Sequence, residues 1–394
     1  MVEDATIDFL IVGAGFSGLV AGERLSSAGF KCVVVDQRSH LGGNAYDSAD
    51  RGGVLIHHYG PHYFRSNSQR IVDYLSKFTE WHPVSYQIKS FTDGRFWSFP
   101  INLNTFEELI GRPSSTGEFE NWLKEKRVPF DKPKNSEEVI LSQVGHELYE
   151  RFFEGYTIKQ WKHHPRDLDP SLCARIPIRT NRDDRYLREE FQALPKDGYT
   201  AMFERMVEAS PDLELHLGVD FEEAKARWNY RHLVFTGPID GYFGRRFGAL
   251  PYRSLRFEHE GFSADELRAR EAISGKVGFW QPAMQVNYPD PEVPFTRIVE
   301  IKHATGQQIG ASAITREYPR DWNPELEPYY PVPREEASLL YRRYAELAGR
   351  EASTSFIGRL ATYRYYNMDQ VTGMALTEAE KLIARYGSTE NAQA

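Results

Sequence analysis

The chain has few cysteines, no excess of positive charge and no long apolar runs, and each scarcity removes a class of function. Its 394 residues hold two cysteines, Cys32 and Cys173. So distant a pair gives neither a disulfide framework nor a CxxC redox or zinc motif, and each reads as a small buried hydrophobe. No metal site is expected. No apolar stretch reaches the roughly 18 residues a membrane span needs, and no basic-then-apolar leader opens the chain. The expectation is a cytoplasmic protein with no membrane partner. Lysine and arginine total 48 against 56 aspartates and glutamates, a formal net charge of −8. That balance argues against nucleic acid, and any anionic ligand must be met by a local group of arginines. Repeats and low-complexity linkers are also missing.

What is present begins at the N-terminus. An apolar strand, Phe9 to Val12, runs into Gly13-Ala14-Gly15-Phe16-Ser17-Gly18, and a second strand, Lys31 to Val35, closes on Asp36. This is the order of a dinucleotide-binding βαβ unit. Gly13 permits the tight turn, Gly15 lets the backbone approach a pyrophosphate, and Gly18 lets the helix from about Ser17 to Ala28 pack on its strands. The helix start offers free N–H groups to phosphates, and Asp36 suits a ribose hydroxyl rather than a 2′-phosphate. After Asp36 comes Arg38-Ser39-His40-Leu41-Gly42-Gly43-Asn44. This run resembles the second glycine motif of the glutathione-reductase-like flavoproteins and points to FAD. No second GxGxxG follows, which argues against a separate NAD(P)H domain.

Beyond residue 60 the pattern predicts a helix over Ser68 to Phe78 and a hairpin, Gln87 to Thr92 and Arg95 to Phe99, about the Asp93-Gly94 turn. Helical periodicity then runs from about Asn104 to Gln160, with Pro165, Pro170 and Pro177 keeping Asp167 to Pro177 out of helix. A helix over Tyr199 to Ala209 leads to strands at Leu213 to Leu217 and His232 to Gly237. Arg253 to Lys302 reads as strand, and Met368 to Tyr386 as the last helix. The expected class is α/β: a glutathione-reductase-type Rossmann-like domain (1–80 with 212–245 and 350–394), an inserted helical lobe (104–211) with a mobile loop near 166–178, and a substrate-covering antiparallel sheet (81–103 with 246–349).

Two stretches carry more aromatic and guanidinium groups than a core requires. Phe152-Phe153-Glu154-Gly155-Tyr156-Thr157-Ile158-Lys159-Gln160-Trp161 is followed by Arg166, Arg175, Arg179, Arg182, Arg185 and Arg188. Aromatic faces beside arginines suit a nucleotide with stacked base and clamped phosphates; on the residues alone, a solvated basic loop beside core aromatics is the open alternative. The second stretch, Gly358-Arg359-Leu360-Ala361-Thr362-Tyr363-Arg364-Tyr365-Tyr366-Asn367-Met368-Asp369, opens the last helix.

Six segments in order, His58 to His62, Gly155 to Trp161, Pro195 to Tyr199, Pro294 to Arg297, Pro328 to Pro331 and Gly358 to Tyr365, resemble the signature segments of bacterial UDP-galactopyranose mutases. The resemblance covers roughly residues 6 to 385. It implies an isomerase that interconverts UDP-galactopyranose and UDP-galactofuranose through a reduced-flavin N5–sugar adduct, with no net redox change, an external reductant for the FAD, and a homodimer. By motif, Phe152, Phe153 and Tyr156 would hold the uracil and Trp161 the sugar end. Arg175, Arg297, Tyr186, Tyr330 and Tyr365 would bind the diphosphate, with Asn287 near the sugar or phosphate. Gly13, Gly15, Phe16, Ser17, Gly18, Asp36, Gly43, Asn44, His62, Arg359, Asn367 and Met368 would contact FAD. The catalytic candidates are Arg175, Arg297 and His62, with Arg65 added as a departure from the family pattern.

Three positions depart from the family pattern: Arg65 replaces a histidine, Asn367 an acid and Tyr86 an asparagine, and all three are expected near flavin or sugar. Arg65 suggests a pocket that also accepts the 2-acetamido group of UDP-N-acetylgalactosamine. Two rivals are an amine-oxidase-type flavoenzyme and a silent nucleotide-sugar-binding protein.

Overall fold

A computed structural model describes residues 6–174, 176–332 and 334–390, with side chains to 387. Its centre is a five-stranded sheet, wholly parallel, in the order Leu213–Leu217, Cys32–Asp36, Ile7–Val12, Tyr230–Phe235, Thr354–Phe356. Leu10, Ile11, Val33, Val34 and Val35 are all buried. Strands covered on both faces need such continuous apolar runs rather than alternation. One face is covered by the helix Phe16–Ser26, on which the last helix, Met368–Glu390, packs. A helix from early in the chain and one from late in it thus meet beside the nucleotide motif.

The second sheet has seven strands, ordered Tyr330–Pro331, Tyr252–Phe262, Ser312–Asp321, Arg297–Val299, Gln285–Asn287, Ile88–Thr92, Arg95–Phe99. The hairpin forms where expected, with Asp93 and Gly94 both at positive φ, 52° and 71°, as a two-residue primed turn requires. The sheet is antiparallel except that Gln285–Asn287 pairs parallel with Ile88–Thr92. Nearly 200 residues of intervening chain permit either direction there, so one parallel pair interrupts the expected antiparallel sheet; the strand-like reading of Arg253 to Lys302 is corrected. Ala264–Arg268 and Glu271–Ser274 are helical, the first closed by a capping box between Ser263 and Glu266.

The helical lobe contains Leu103–Ile110, Thr116–Lys126, Ser136–Tyr149 and Gly155–Trp161. The long helix breaks at Gly145, whose φ is 76° and where a Cβ would lie 2.3 Å from the Lys126 carbonyl oxygen; only glycine fits both constraints. A π-helical turn over Glu150–Glu154 then carries Phe152 and Phe153 inward. The segment 191–211 differs from the expected division. Phe191–Pro195 lies between Phe64–Ser66 and Trp81–Pro83 in a small sheet, and helix Tyr199–Glu208 joins the first core, Phe203 packing edge-on against Phe16 at 4.8 Å. Asp47 fastens that helix by accepting the Tyr199 and Thr200 N–H groups at 2.7 and 2.8 Å. Among the described residues, no helix is long and apolar enough to cross a membrane.

Candidate functional site

The carboxyl ends of the parallel strands open into a cavity of about 310 Å3. Gly13, with φ 107°, leaves room for nothing larger: a Cβ there would lie 2.0 Å from Thr236 Oγ1. The two glycine motifs touch, since a Cβ on Gly43 would come within 3.0 Å of Gly15 Cα. Asp36 ties the turn together by accepting the Ala14 N–H at 2.8 Å and the Arg38 N–H at 2.9 Å. Bare backbone, a helix start and a carboxylate form the floor that a dinucleotide pyrophosphate and ribose require.

Gly15, Phe16, Ser17, Gly43, Asn44 and His62 line this cavity, as do Arg359, Asn367 and Met368 from the far end of the chain. Gly18 does not. A Cβ there would sit 1.8 Å from the Gly13 carbonyl oxygen, so its part is helix packing. The second stretch does not simply open the last helix: Gly358–Ala361 is a separate turn, ended by Tyr363 at φ 48°. The buried Tyr363 ring, its hydroxyl donating to the Pro251 carbonyl, offsets the strain of that conformation. Arg359 is thereby held with Nη2 on the Tyr366 carbonyl at 2.6 Å.

A second, narrower cavity lies beyond Arg359, a wall of the first, whose guanidinium carbon is 5.3 Å from the Tyr365 ring centre and 6.0 Å from that of Tyr330. Its walls are Phe152, Phe153, Tyr156, Trp161, Tyr186, Asn287, Arg297, Tyr330 and Tyr365. Every described residue assigned above by motif to the uracil, the diphosphate or the sugar end is thus brought together; Arg175 lies outside the described residues. The aromatic end is apolar, with Phe99 and Ile176 joining Phe152 and Phe153. The other end holds the guanidinium of Arg297, with Tyr330 and Tyr365 stacked at 5.3 Å and 22°. Lys159 binds the two walls together. Its ammonium sits among the carbonyls of Tyr288, Asp290, Val293 and Phe295, the last three at 2.9 to 3.0 Å, and shares its three N–H donors among the four, so the helix bearing Tyr156 and Trp161 is fixed to the strands bearing Asn287 and Arg297.

The loop expected to avoid helix contains one helical turn, Ser171–Ala174, initiated where Asp169 accepts the Ser171 N–H at 2.9 Å. Leu172, Cys173 and Ile176 pack into the cavity, which at about 100 Å3 is below the roughly 300 Å3 where ligand pockets usually begin.

Two departures fall elsewhere than expected. Arg65 lines neither cavity. Its Nε donates to Glu189 at 2.9 Å and its Nη2 to Asn367 Oδ1 at 3.1 Å, because a guanidinium reaching inward between two acceptors is satisfied by them. Tyr86 is wholly buried in the main core, its hydroxyl donating to the Ala193 carbonyl at 2.9 Å. Residues missed by the sequence reading include Thr157, Gln160 and Gln285, all in the second cavity. Gln285 stands two positions before Asn287 on one strand, and period two places both on the same face.

His62 is fixed at both ends: its N–H donates to His57 Nδ1 at 3.1 Å and its own Nδ1 donates to the Gly60 carbonyl at 2.8 Å. Burial pushes both imidazoles down to about 3, so both are neutral.

A family model described as UDP-galactopyranose mutase matches residues 151–365, and one for an NAD(P)-binding Rossmann-like domain matches residues 11–78. A probable UDP-galactopyranose mutase of Klebsiella pneumoniae is 34% identical over 389 residues, covering 97% of this chain and 96% of its own. A dTDP-fucopyranose mutase of Escherichia coli is 34% identical over 368 residues, 91% and 94% of the two chains. The crystal structure of a reduced UDP-galactopyranose mutase superposes with a TM-score of 0.72 at 19% identity, covering 97% of this chain and 96% of that one.

Proposed function

The chain belongs to the UDP-galactopyranose mutase family, and from that premise we propose that it is a flavin-dependent isomerase that exchanges the pyranose and furanose forms of UDP-galactose. The observation that carries this reading is a pair of cavities either side of Arg359, one with the glycine floor a dinucleotide requires and one with an aromatic end and a cationic end.

FAD is the dinucleotide we assign to the first cavity. The glycine cradle, the helix start at Phe16 and Asp36 fit its pyrophosphate and ribose. Reduced flavin would supply the nucleophile for the anomeric carbon, electrons being returned within each cycle.

The residues of this chain do the rest. Phe152, Phe153 and Tyr156 hold the base against an apolar wall. Arg297 meets the diphosphate, and Arg175 is assigned a place beside it. Arg297 is already charged and fixed, so it stabilises the departing UDP without reorganising. Tyr186, Tyr330 and Tyr365 add hydroxyl donors, and Trp161 bounds the sugar side. The Ser171–Ala174 turn must withdraw for the substrate to enter, and its return excludes water from the reacting sugar.

A second substrate has a specific observation behind it: the relative acting on dTDP-fucopyranose is as similar as the one acting on the UDP sugar. Phe99 and Ile176 give the aromatic end apolar surface against which a thymine methyl could rest. The acetamido extension finds less support, because the Arg65 fork is engaged by Glu189 and Asn367.

The test is anaerobic. The flavin-loaded protein is reduced with dithionite, offered UDP-galactopyranose, dTDP-fucopyranose and UDP-N-acetylgalactosamine separately, and the ring forms are resolved by chromatography. UDP-galactofuranose supports the reading, furanose from the thymidine sugar alone replaces the substrate, and no furanose product from any sugar overturns the assignment.

A further inference from the structure

Beside Arg297 runs a line of side chains that the function above does not use. The Tyr86 ring supports that of Tyr63, the two stacked at 4.5 Å and 26°. The Tyr63 hydroxyl lies 2.7 Å from Gln285 Oε1, Arg297 Nη1 lies 3.4 Å from the same oxygen, and Gln285 Nε2 lies 2.7 Å from Asn287 Oδ1. Gln285 and Asn287 are buried, and both line the second cavity.

The direction of every hydrogen bond in this line is forced. A guanidinium has donors only, so the Gln285 atom it faces is the carbonyl oxygen and not the amino nitrogen. The Tyr63 hydroxyl, meeting that same oxygen, must donate. Gln285 then turns its amino group to Asn287, and the Asn287 atom that receives it must be the carbonyl oxygen. The Asn287 amino group is left at the end of the line, with no other partner among the described residues. Asn287 and Arg297 are directly opposed across the antiparallel pair, so two sets of donors converge on one place.

We propose that Tyr63 and Gln285 are positioning residues, locking the Asn287 carboxamide with its amino group toward the cavity so that, beside Arg297, it reads a phosphate oxygen of the nucleotide sugar. The inference rests on the functional reading above and adds how the anion is recognised. Released from the line, Asn287 could present its carbonyl oxygen instead, which would repel an anion. The glutamine carboxamide suits this task because it accepts from the cation and donates onward with a single planar group. The methionine of a Gln285→Met variant would fill similar volume and do neither.

The test is a thermodynamic cycle on the oxidised, flavin-loaded protein, with UDP as the probe and calorimetry as the readout. Gln285→Met is expected to raise the dissociation constant about three- to tenfold, the equivalent of one hydrogen bond. Tyr63→Phe should act in the same direction with about half that factor. Both losses should disappear when the same changes are made in an Asn287→Ala background, because the line then has nothing to orient.

Losses that persist undiminished without Asn287 would mean altered packing alone and would overturn the proposal. So would unchanged UDP affinity in both single variants. If Gln285→Met does not fold, judged by its melting transition, Tyr63→Phe carries the same cycle by itself. Failure of the unaltered protein to bind UDP would overturn the functional reading first, and this assignment with it.

Discussion

Arg297 and Glu317 face each other across adjacent antiparallel strands, Nη2 and Nε of the guanidinium lying 2.8 and 2.9 Å from one carboxylate oxygen. Glu317 is buried, whereas Arg297 keeps one edge toward the cavity. Burial alone would weaken the hold of Arg297 on its proton. Glu317 and the neighbouring Tyr156, Tyr330 and Tyr63 together outweigh that effect, so the guanidinium stays charged well beyond its ordinary range. A cation built into a sheet in this way needs its counter-charge to fold and its free edge to bind.

The first expectation follows directly. Glu317→Gln removes the counter-charge and leaves a largely buried cation, a change that costs about 3 kcal/mol or more. Thermal unfolding should show a marked drop in the midpoint, with UDP restoring more of it than it adds to the unaltered protein. An unchanged midpoint would deny the pair its structural role.

Arg65 yields an expectation of the opposite kind. Its guanidinium is engaged by Glu189 and Asn367 rather than presented to either cavity. Arg65→His should therefore leave the ratio of rates on UDP-galactose and UDP-N-acetylgalactosamine within about twofold, while lowering stability by roughly 1 kcal/mol through the lost contacts. A large swing in that ratio would bring Arg65 back to the sugar.

Asp36 both faces the first cavity and holds the turn that shapes it. In Asp36→Ala the Ala14 and Arg38 N–H groups lose their acceptor, and the glycine loop loosens. Flavin should dissociate at least tenfold more readily, measured by the loss of its visible absorbance on dialysis. Full retention would show that the floor is set by the glycines alone.

Acid should unfold the protein partly through His57. Its Nδ1 accepts the His62 N–H, and burial holds its pKa at about 3 against the ordinary 6.5. Between those values the unfolded chain takes up a proton that the native state refuses. Stability is therefore retained above pH 6.5 and falls as the pH drops toward 3, by up to about 1.4 kcal/mol per unit. The acid limb of a pH–stability curve should be shallower in His57→Asn. An identical limb would assign the loss to other groups.

How much of this was readable beforehand varies by element. The first cavity was legible because a phosphate floor has strict local demands, and Gly13, Gly15 and Asp36 meet them within one βαβ unit. The aromatic wall was legible from the run Phe152 to Trp161. Gln285 was not, since a glutamine in a short strand carries no local signal. Its meaning comes from Tyr63, more than 200 residues earlier, and from Arg297 on the next strand. Arg65 misled for the same reason: the acceptors that engage it, Glu189 and Asn367, are distant in sequence.

By itself, then, the sequence determined the strand-turn-helix unit, the aromatic helix, the hairpin at Asp93-Gly94 and the family to which these segments belong, because each depends on backbone geometry or periodicity within a few residues. Tertiary structure alone decided that Glu317 pairs with Arg297, that Tyr86 is core, that Arg65 is engaged by Glu189 and Asn367, and that Gln285 joins Tyr63 and Arg297 to Asn287. Those outcomes are set by which donors and acceptors the sheets bring within about 3 Å of one another, and such partners are fixed only when the chain closes.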